Sequence, residues 1–328
     1  MKGIKWWIGI PPEVTTEYVG VKLGEYYRNP KVMLKTQLKA KEILERLYGI
    51  GKFVGIGPTY SAYVEASMLG VEVVFPEDNV PMVKAPILKD INDVDNLKIK
   101  DPYKEGLMAK VIQTYKYMKK KVGNRYHITC GGTEGPITTA VIIRGPAFFV
   151  DIYRNPKKVH QLLEIVTEVS LRIREVIEEV TGEDIRRTGI ADDFAGYLTP
   201  QQYREFAYPY YQLIYKKYGQ NGRSLHSELL RREHLKFLSM LSITHYDPGM
   251  NPYLRVRDLR ELGIPFSWNL KTAQDMLMGS PESIRKAFIR AVREGAREIA
   301  TELCRRVPKE NVLAFVKIAR EYEEFIFE

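Results

Sequence analysis

The sequence predicts an α/β protein built as a (β/α)8 barrel with a short N-terminal extension, on three observations. Short apolar runs alternate with long amphipathic stretches along the 328 residues, the pattern of parallel strands joined by right-handed crossovers. Polar and reactive residues gather where these runs end, the face on which barrel active sites are built. Neither a GxGxxG fingerprint nor a Walker loop follows any run, which disfavours an open, doubly wound nucleotide-binding sheet. No fixed-period repeat or low-complexity linker divides the chain, and residues 1–328 read as one domain.

Taken in order, residues 6–10 and 53–57 are apolar and bounded by Gly and Pro, which predicts two buried strands. Between them Val32, Met33, Leu38, Ile43, Leu44 and Leu47 recur at mostly helical spacing, giving a helix over 30–47 that stops at Gly49. The β-branched run 71–75 ends abruptly in Pro76-Glu77-Asp78, and a Pro-containing linker over 86–102 leads to a helix over 107–121. A strand over 126–130 runs into Gly131-Gly132-Thr133-Glu134-Gly135-Pro136. A long helix over 159–180 follows, with Val159, Leu162, Leu163, Val166, Val169, Ile173, Ile177 and Val180 as its apolar stripe. The remaining strands are 188–191 ending in Asp192-Asp193, 224–226, 242–245 ending in Tyr246-Asp247-Pro248-Gly249, 265–270, and 298–303 ending in Cys304.

Composition narrows the class of protein. Hydrophobic content of 45% and charged content of 28% are those of a soluble globular chain. No run of about twenty apolar residues spans a membrane, and the apolar start ends in Pro11-Pro12 without a cleavage pattern. Two distant cysteines, Cys130 and Cys304, make no disulfide framework, which points to a reducing cytoplasm. The net charge of +9 speaks to steering rather than to fold. Its richest run, Lys116 to Lys121, reads as a solvated helix face, and no nucleic-acid motif accompanies it.

The chemistry centres on Ser224-Leu225-His226-Ser227-Glu228. In an extended segment residues two apart share a side, so His226 and Glu228 address one point. Imidazole, carboxylate and the thiolate of Cys304 are all zinc ligands, and three protein ligands with one open position is the plan of a catalytic zinc. A polar strand end feeding a helix accounts for the same His-x-Glu pair. Glu134, Asp192 and Asp193 read either as groups that orient a bound ligand or as loop carboxylates and helix caps. His245 lines the pocket with Asp247 or is an ordinary strand-end residue. Cys130 reads as packing, His127, His160 and His234 as structural, and Tyr208, Tyr210, Tyr211, Tyr215 and Tyr218 as helix packing.

Several phrases then resemble one family. They are Gly132-Thr133-Glu134-Gly135-Pro136 with Thr138-Thr139-Ala140, Asp151-Ile152-Tyr153-Arg154-Asn155-Pro156, Ala191-Asp192-Asp193-Phe194-Ala195, Leu198-Thr199-Pro200, and Phe206 with Tyr208-Pro209-Tyr210. Gly279-Ser280-Pro281-Glu282-Ser283-Ile284 and Val307-Pro308-Lys309-Glu310-Asn311-Val312 complete the set. Over roughly residues 60 to 325 the chain resembles the uroporphyrinogen decarboxylase superfamily, which again implies a (β/α)8 barrel.

That resemblance implies one of two chemistries. Metal-free decarboxylases use a central aspartate, whose place Asp78 takes here. Their arginine-rich start is missing, since residues 1–20 contain no arginine, a tyrosine is replaced near Ile142, and a late histidine by Cys304. The chain looks more like the methylcobalamin:coenzyme M methyltransferase branch, which binds zinc through His-x-Cys on one strand and a cysteine on the last. His226 and Cys304 fill the outer positions and Glu228 stands in for the first cysteine. This implies Zn2+ on His226, Glu228 and Cys304, a corrinoid (methylcobalamin, free or on a corrinoid protein) and a small thiol such as coenzyme M as partners. A homodimer is compatible with the sequence and not specified by it; nucleic acid and membrane are not expected. The alternatives are a metal-free tetrapyrrole decarboxylase and a non-catalytic corrinoid or tetrapyrrole carrier.

Overall fold

A computed structural model describes residues 3–130 and 134–323. The expected barrel is present. β4 (Arg187–Ala191), β5 (Gly222–His226) and β6 (His245–Asp247) form one parallel ladder, and β7 (Trp268–Leu270), β8 (Glu298–Glu302) and β1 (Lys5–Gly9) form another. An isolated parallel bridge between Tyr246 and Phe266 joins the two ladders, and a second, between Glu134 and Ala191, carries the sheet past β4.

The runs 53–57 and 126–130 complete the ring without becoming ladder strands. They lie side by side, with Thr129 N donating to Ile56 O at 3.0 Å. The pairing goes no further because the side chain of Gln37 takes the backbone of Gly57: its Nε2 donates to Gly57 O at 2.8 Å and its Oε1 accepts from Gly57 N at 3.1 Å. Gly57 is required there, since a Cβ would overlap the Thr129 carbonyl.

Two further strand expectations need correction. The run 71–75 is not a barrel stave: β2 (Val73–Val74) pairs antiparallel with β3 (Met82–Val83), and the hairpin's exposed turn carries Glu77 and Asp78. The strand expected over 242–245 begins only at His245. Ser242 adopts φ +54° and Ile243 N returns to Leu238 O at 3.0 Å, so these residues close the preceding helix Leu235–Met240 instead of extending.

The helices follow the apolar spacing. Helix Pro30–Tyr48 is capped by Asn29, which accepts from Lys31 N at 3.0 Å, and is ended by Gly49 at φ +67°. Gly106–Val122 and Pro156–Thr181 match the other two long stretches. The stripe of Pro156–Thr181 is buried from Val159 to Ile177, Tyr210, Tyr211 and Tyr215 pack into the same core, as their spacing implies, and Tyr218 is buried as well. Among the described residues no helix is long and apolar enough to cross a membrane.

Barrel interiors are usually filled by layers of branched apolar side chains. Here Gly189, Ser224 and Ser267 stand in those layers, leaving a cavity of about 620 Å³ also lined by Trp7, His226, His245, Asp247 and Glu298. The axis is hollow and carries polar side chains. Replacing Gln37 by Leu strands two buried backbone groups of Gly57, and we expect a loss of about 3 kcal/mol in stability by urea unfolding; a loss within error of zero would mean that the clamp is not what holds 53–57 in place.

Candidate active site

The register of β4, β5 and β6 sets Ala191, His226 and Asp247 in one row at the C-terminal mouth. His226 Nδ1 lies 3.0 Å from Asp247 Oδ2, and Asp247 Oδ1 accepts from Asn269 Nδ2 at 2.8 Å and Gly249 N at 3.0 Å. The carboxylate is thus fixed from two strands and its own turn and fixes the ring in turn, leaving Nε2 directed to Asp193 Oδ1 at 3.7 Å. Burial works against a charge on the ring, but Asp247, Asp193 and Glu228 outweigh it and push His226 up to about 9.

Asp193 also accepts from Glu228 N at 2.7 Å, and Glu228 Oε1 accepts from Met250 N at 3.0 Å. Gly249, at φ +52°, lets the Asp247-Pro248-Gly249 turn come this close, since a Cβ there would overlap the Glu228 carboxylate. His226, Glu228 and Asp193 are therefore gathered, as the period-two spacing and the Asp-Asp pair predict.

Asp192 faces the other way. It is fully buried, and accepts from Ile137 N at 3.0 Å and from Thr138 N and Oγ1 at 2.8 Å each, which fastens the start of helix Pro136–Arg144. The Gly135-Pro136 phrase suits this junction because a Cβ on Gly135 would overlap the Asp192 carboxylate. Burial raises Asp192 to about 6 in spite of those donors. Its role is to fasten the loop, not to face a ligand.

The other expected site residues are dispersed. Cys304 follows β8, and its thiol is raised by burial and by Glu17, Glu13 and Glu302. Glu302 links the two groups: set within the concave mouth, it is raised by loss of surrounding water, then by Glu13 and Glu228. His226, Glu228 and Cys304 thus face the same mouth from two sides, but among the described residues no three His, Cys, Asp or Glu side chains are drawn into a metal-holding group. Asp78 is exposed on the hairpin turn, where its carbonyl accepts from Arg305 Nη1 at 3.3 Å. His245 stands two residues down β6 from Asp247, inside the hollow. There it meets Glu298 at 3.3 Å and Ser267 at 3.4 Å, away from His226. His245 and Ser267 hold Glu298 down at about 2.

Glu134 borders a second cavity, a cleft of about 840 Å³ walled by Tyr63, Ile142, Phe149, Tyr153, Phe194 and Tyr197. Tyr197 packs edge-on to Phe149 with ring centres 5.8 Å apart and tilted against Phe194 at 5.9 Å, and is still 61% exposed, so the wall is aromatic and open. Glu134 and Asp193 are the only charged side chains lining it among the described residues. Asp193 therefore belongs both to the aromatic cleft and to the His226 constellation.

Comparison with known proteins agrees with this architecture. The family model described as uroporphyrinogen decarboxylase matches residues 7–322. The chain belongs to the uroporphyrinogen decarboxylase family. Among solved structures, a methyltransferase from Methanosarcina mazei superposes with a TM-score of 0.76 at 21% identity, covering 98% of this chain and 95% of that one. The likeness supports the barrel assignment of this family member. No curated protein matches the sequence significantly.

Sequence reasoning missed one residue and the role of another. Asp247 orients His226, but it lies 21 positions away, and only its place two residues after His245 at a strand end marks it. Glu65 is 1% exposed, and its one signal is a lone acid in an otherwise apolar stretch. Burial raises Glu65 to about 7, and burial followed by Glu65, Asp192 and Asp193 raises Glu134 to about 9.

Glu65, Glu134 and His226 all hold protons more tightly in the folded chain than in the unfolded one. Their stabilising contribution is complete below the unfolded values of 4.5 for the carboxyls and 6.5 for His226, and is lost as pH rises toward about 9. The metal-free protein is therefore expected to be less stable to urea at about pH 9 than at about pH 6, with Glu134→Gln shrinking the difference. Stability that rises over this interval would contradict the proton inventory.

Proposed function

We propose that the protein transfers a methyl group between a corrinoid and a small thiol. The observation that carries this reading is the sharing of Asp193 between a large aromatic cleft and the His226–Asp247–Glu228 constellation. An open, apolar, ring-lined cleft suits the face of a macrocycle, and the neighbouring polar groups suit the small reactant. The neighbour from Methanosarcina mazei, named as a methyltransferase, is in keeping with it.

The donor set fits zinc in chemistry, with nitrogen, oxygen and sulfur ligands carrying a combined charge of about −2. One feature of the geometry fits as well: a ligating histidine normally gives its other ring nitrogen to a carboxylate, as His226 does to Asp247. Cys304 stands farther round the mouth among Glu13, Glu17 and Glu302. Zinc held by His226, Glu228 and Cys304 would supply a lowered pKa to the substrate thiol. The chain's own contribution is alignment. Asp247 and Asn269 fix the plane of His226, Met250 N and Asp193 fix Glu228, and the cleft holds the macrocycle against them, so the two reactants meet with little orientational freedom left to lose.

A decarboxylase acting on a polycarboxylated tetrapyrrole fits less well. Such a substrate needs cations along its binding wall, whereas the only charged residues lining the cleft among those described are Glu134 and Asp193. A corrinoid whose side chains end in neutral amides meets no such repulsion.

Metal analysis after mild chelation and zinc readdition should find about one zinc per chain, lost in His226→Ala and in Cys304→Ala and retained in Glu228→Cys. Asp247→Asn should weaken zinc affinity roughly 10- to 100-fold. Unchanged metal content in both alanine variants would refute the ligand set. Methylcobalamin mixed with a panel of thiols should lose its methyl group, followed by visible absorbance, in the wild type and not in Cys304→Ala; no loss with any thiol would remove the methyltransferase reading.

A further inference from the structure

The inner face of β4 is open to solvent. Along the strand, exposed Arg187 and Gly189 and half-buried Ala191 alternate with buried Thr188 and Ile190. Ala191 stands in the row of His226 and Asp247, and two positions lower Gly189 pairs with Ser224 and Ser224 with His245, so the accessible side of β4 is the one that faces the axis. In most barrels of this kind that side is packed and dry. The cavity of about 620 Å³ follows β4 over its whole length, from Ala191 down to Arg187, and continues past Ile185 to Glu183, whose side chain is 58% exposed. It therefore joins the underside of the His226–Asp247 row to solvent at the N-terminal end of the barrel, opposite the mouth.

Two walls keep the axis clear in different ways. On the side of β6, β7, β8 and β1 the long side chains are tied to one another: Ser267 Oγ donates to Glu298 Oε1 at 2.6 Å, Trp7 Nε1 donates to the same oxygen at 3.2 Å, and His245 Nε2 lies 3.3 Å from it. On the side of β4 and β5 there is little to project. Gly189 has no side chain, Ser224 has a short one, and a Cβ on Gly189 would already come within 2.7 Å of Ser224 Oγ. An eight-stranded barrel is just wide enough inside for side chains or for one small ligand. Where the side chains are withheld, the axis admits a small molecule, and a macrocycle stays in the cleft above.

We propose that the hollow axis is a second entrance to the candidate site, by which the small reactant reaches the His226–Asp247 row from beneath while the aromatic cleft above is occupied. That the small reactant is a thiol rests on the methyl-transfer reading above; the passage does not. Two entrances at opposite ends of the barrel remove a conflict between the reactants. A macrocycle seated over the mouth no longer shuts the small partner out, and either can bind first.

The test places a single reporter thiol in the axis of the whole chain. Ser224→Cys, combined with Cys130→Ala and Cys304→Ala, is exposed to methyl methanethiosulfonate, a neutral reagent of small-thiol size, or to a bulky polyethylene-glycol maleimide, and labelling is followed by intact-mass spectrometry. The small reagent should label the folded protein and the bulky one should not, while both label it in urea. Saturating cyanocobalamin should leave the small reagent's rate within about twofold, whereas Arg187→Trp, which fills the lower opening, should slow it roughly tenfold and Arg187→Gln, which only removes the charge, should not. No labelling of the folded protein, or labelling by both reagents alike through local opening, overturns the passage. So does a rate that cyanocobalamin abolishes or that Arg187→Trp leaves unchanged, since the thiol is then reached from the mouth. Failure of cyanocobalamin to bind defeats the corrinoid reading instead, and the Arg187→Trp comparison still decides the passage.

Discussion

Two adjacent carboxylates at the end of β4 are compelled to point in opposite directions, and the mouth of the barrel is arranged around that divergence. Asp192 turns inward, where three attachments meet on it: its carboxylate holds the start of helix Pro136–Arg144, its N–H donates to His226 O at 2.9 Å, and its carbonyl accepts from Ser227 Oγ at 2.8 Å. Asp193, the next residue, takes helical dihedrals (φ −70°, ψ −39°) past the end of β4 and faces the mouth. From there it holds the backbone of Glu228 and borders the aromatic cleft. A buried group that makes no contact with solvent thus decides where an exposed one stands.

The same economy of position explains why so many acids crowd one end of a chain whose net charge is +9. Glu134, Asp193, Glu228, Asp247 and Glu302 are within electrostatic reach of His226 or of one another. His226 is the one cation among these groups, and it is held by the most completely bonded carboxylate of the set. The surplus positive charge of the protein lies elsewhere, on surfaces such as the end of helix Gly106–Val122 with Lys119, Lys120 and Lys121. A partner drawn by net charge would therefore be steered by the outer surface, not by the mouth.

The fold was largely readable because helix and strand periods are local. The stripe on Pro156–Thr181, the stop at Gly49 and the Gly-Pro entry to helix Pro136–Arg144 each need only a few neighbours to be recognised. What failed did so for reasons outside any short window. Residues 53–57 lack a ladder because Gln37, twenty positions earlier, bonds their backbone. Strand β6 starts late because Ser242 takes a left-handed conformation that the apolar run around it does not announce. At the site, the His226–Glu228 spacing was legible from the two-residue period, and Cys304 from its place at the end of the last apolar run, with the family resemblance pointing to it as well. The support of His226 by Asp247 depends on strand register, and the burial of Glu65 on how the short helix Val64–Ser67 packs against helices Gly106–Val122, Pro136–Arg144 and Pro156–Thr181; neither is written in sequence distance.

The hollow axis alters what closing the mouth does. In a filled barrel, a large flat ligand seated over the C-terminal end would strip water from every charged group beneath it. Here the row of His226 and Asp247 also borders the polar cavity below, in which Ser224, His245 and Glu298 offer partners to solvent. Ordered water in that space would keep the effective dielectric around the row high from underneath while the ligand lowers it from above. The charged row then sits at a boundary between a wet side and a dry side, so covering the cleft need not drive His226 and Asp247 toward their neutral forms.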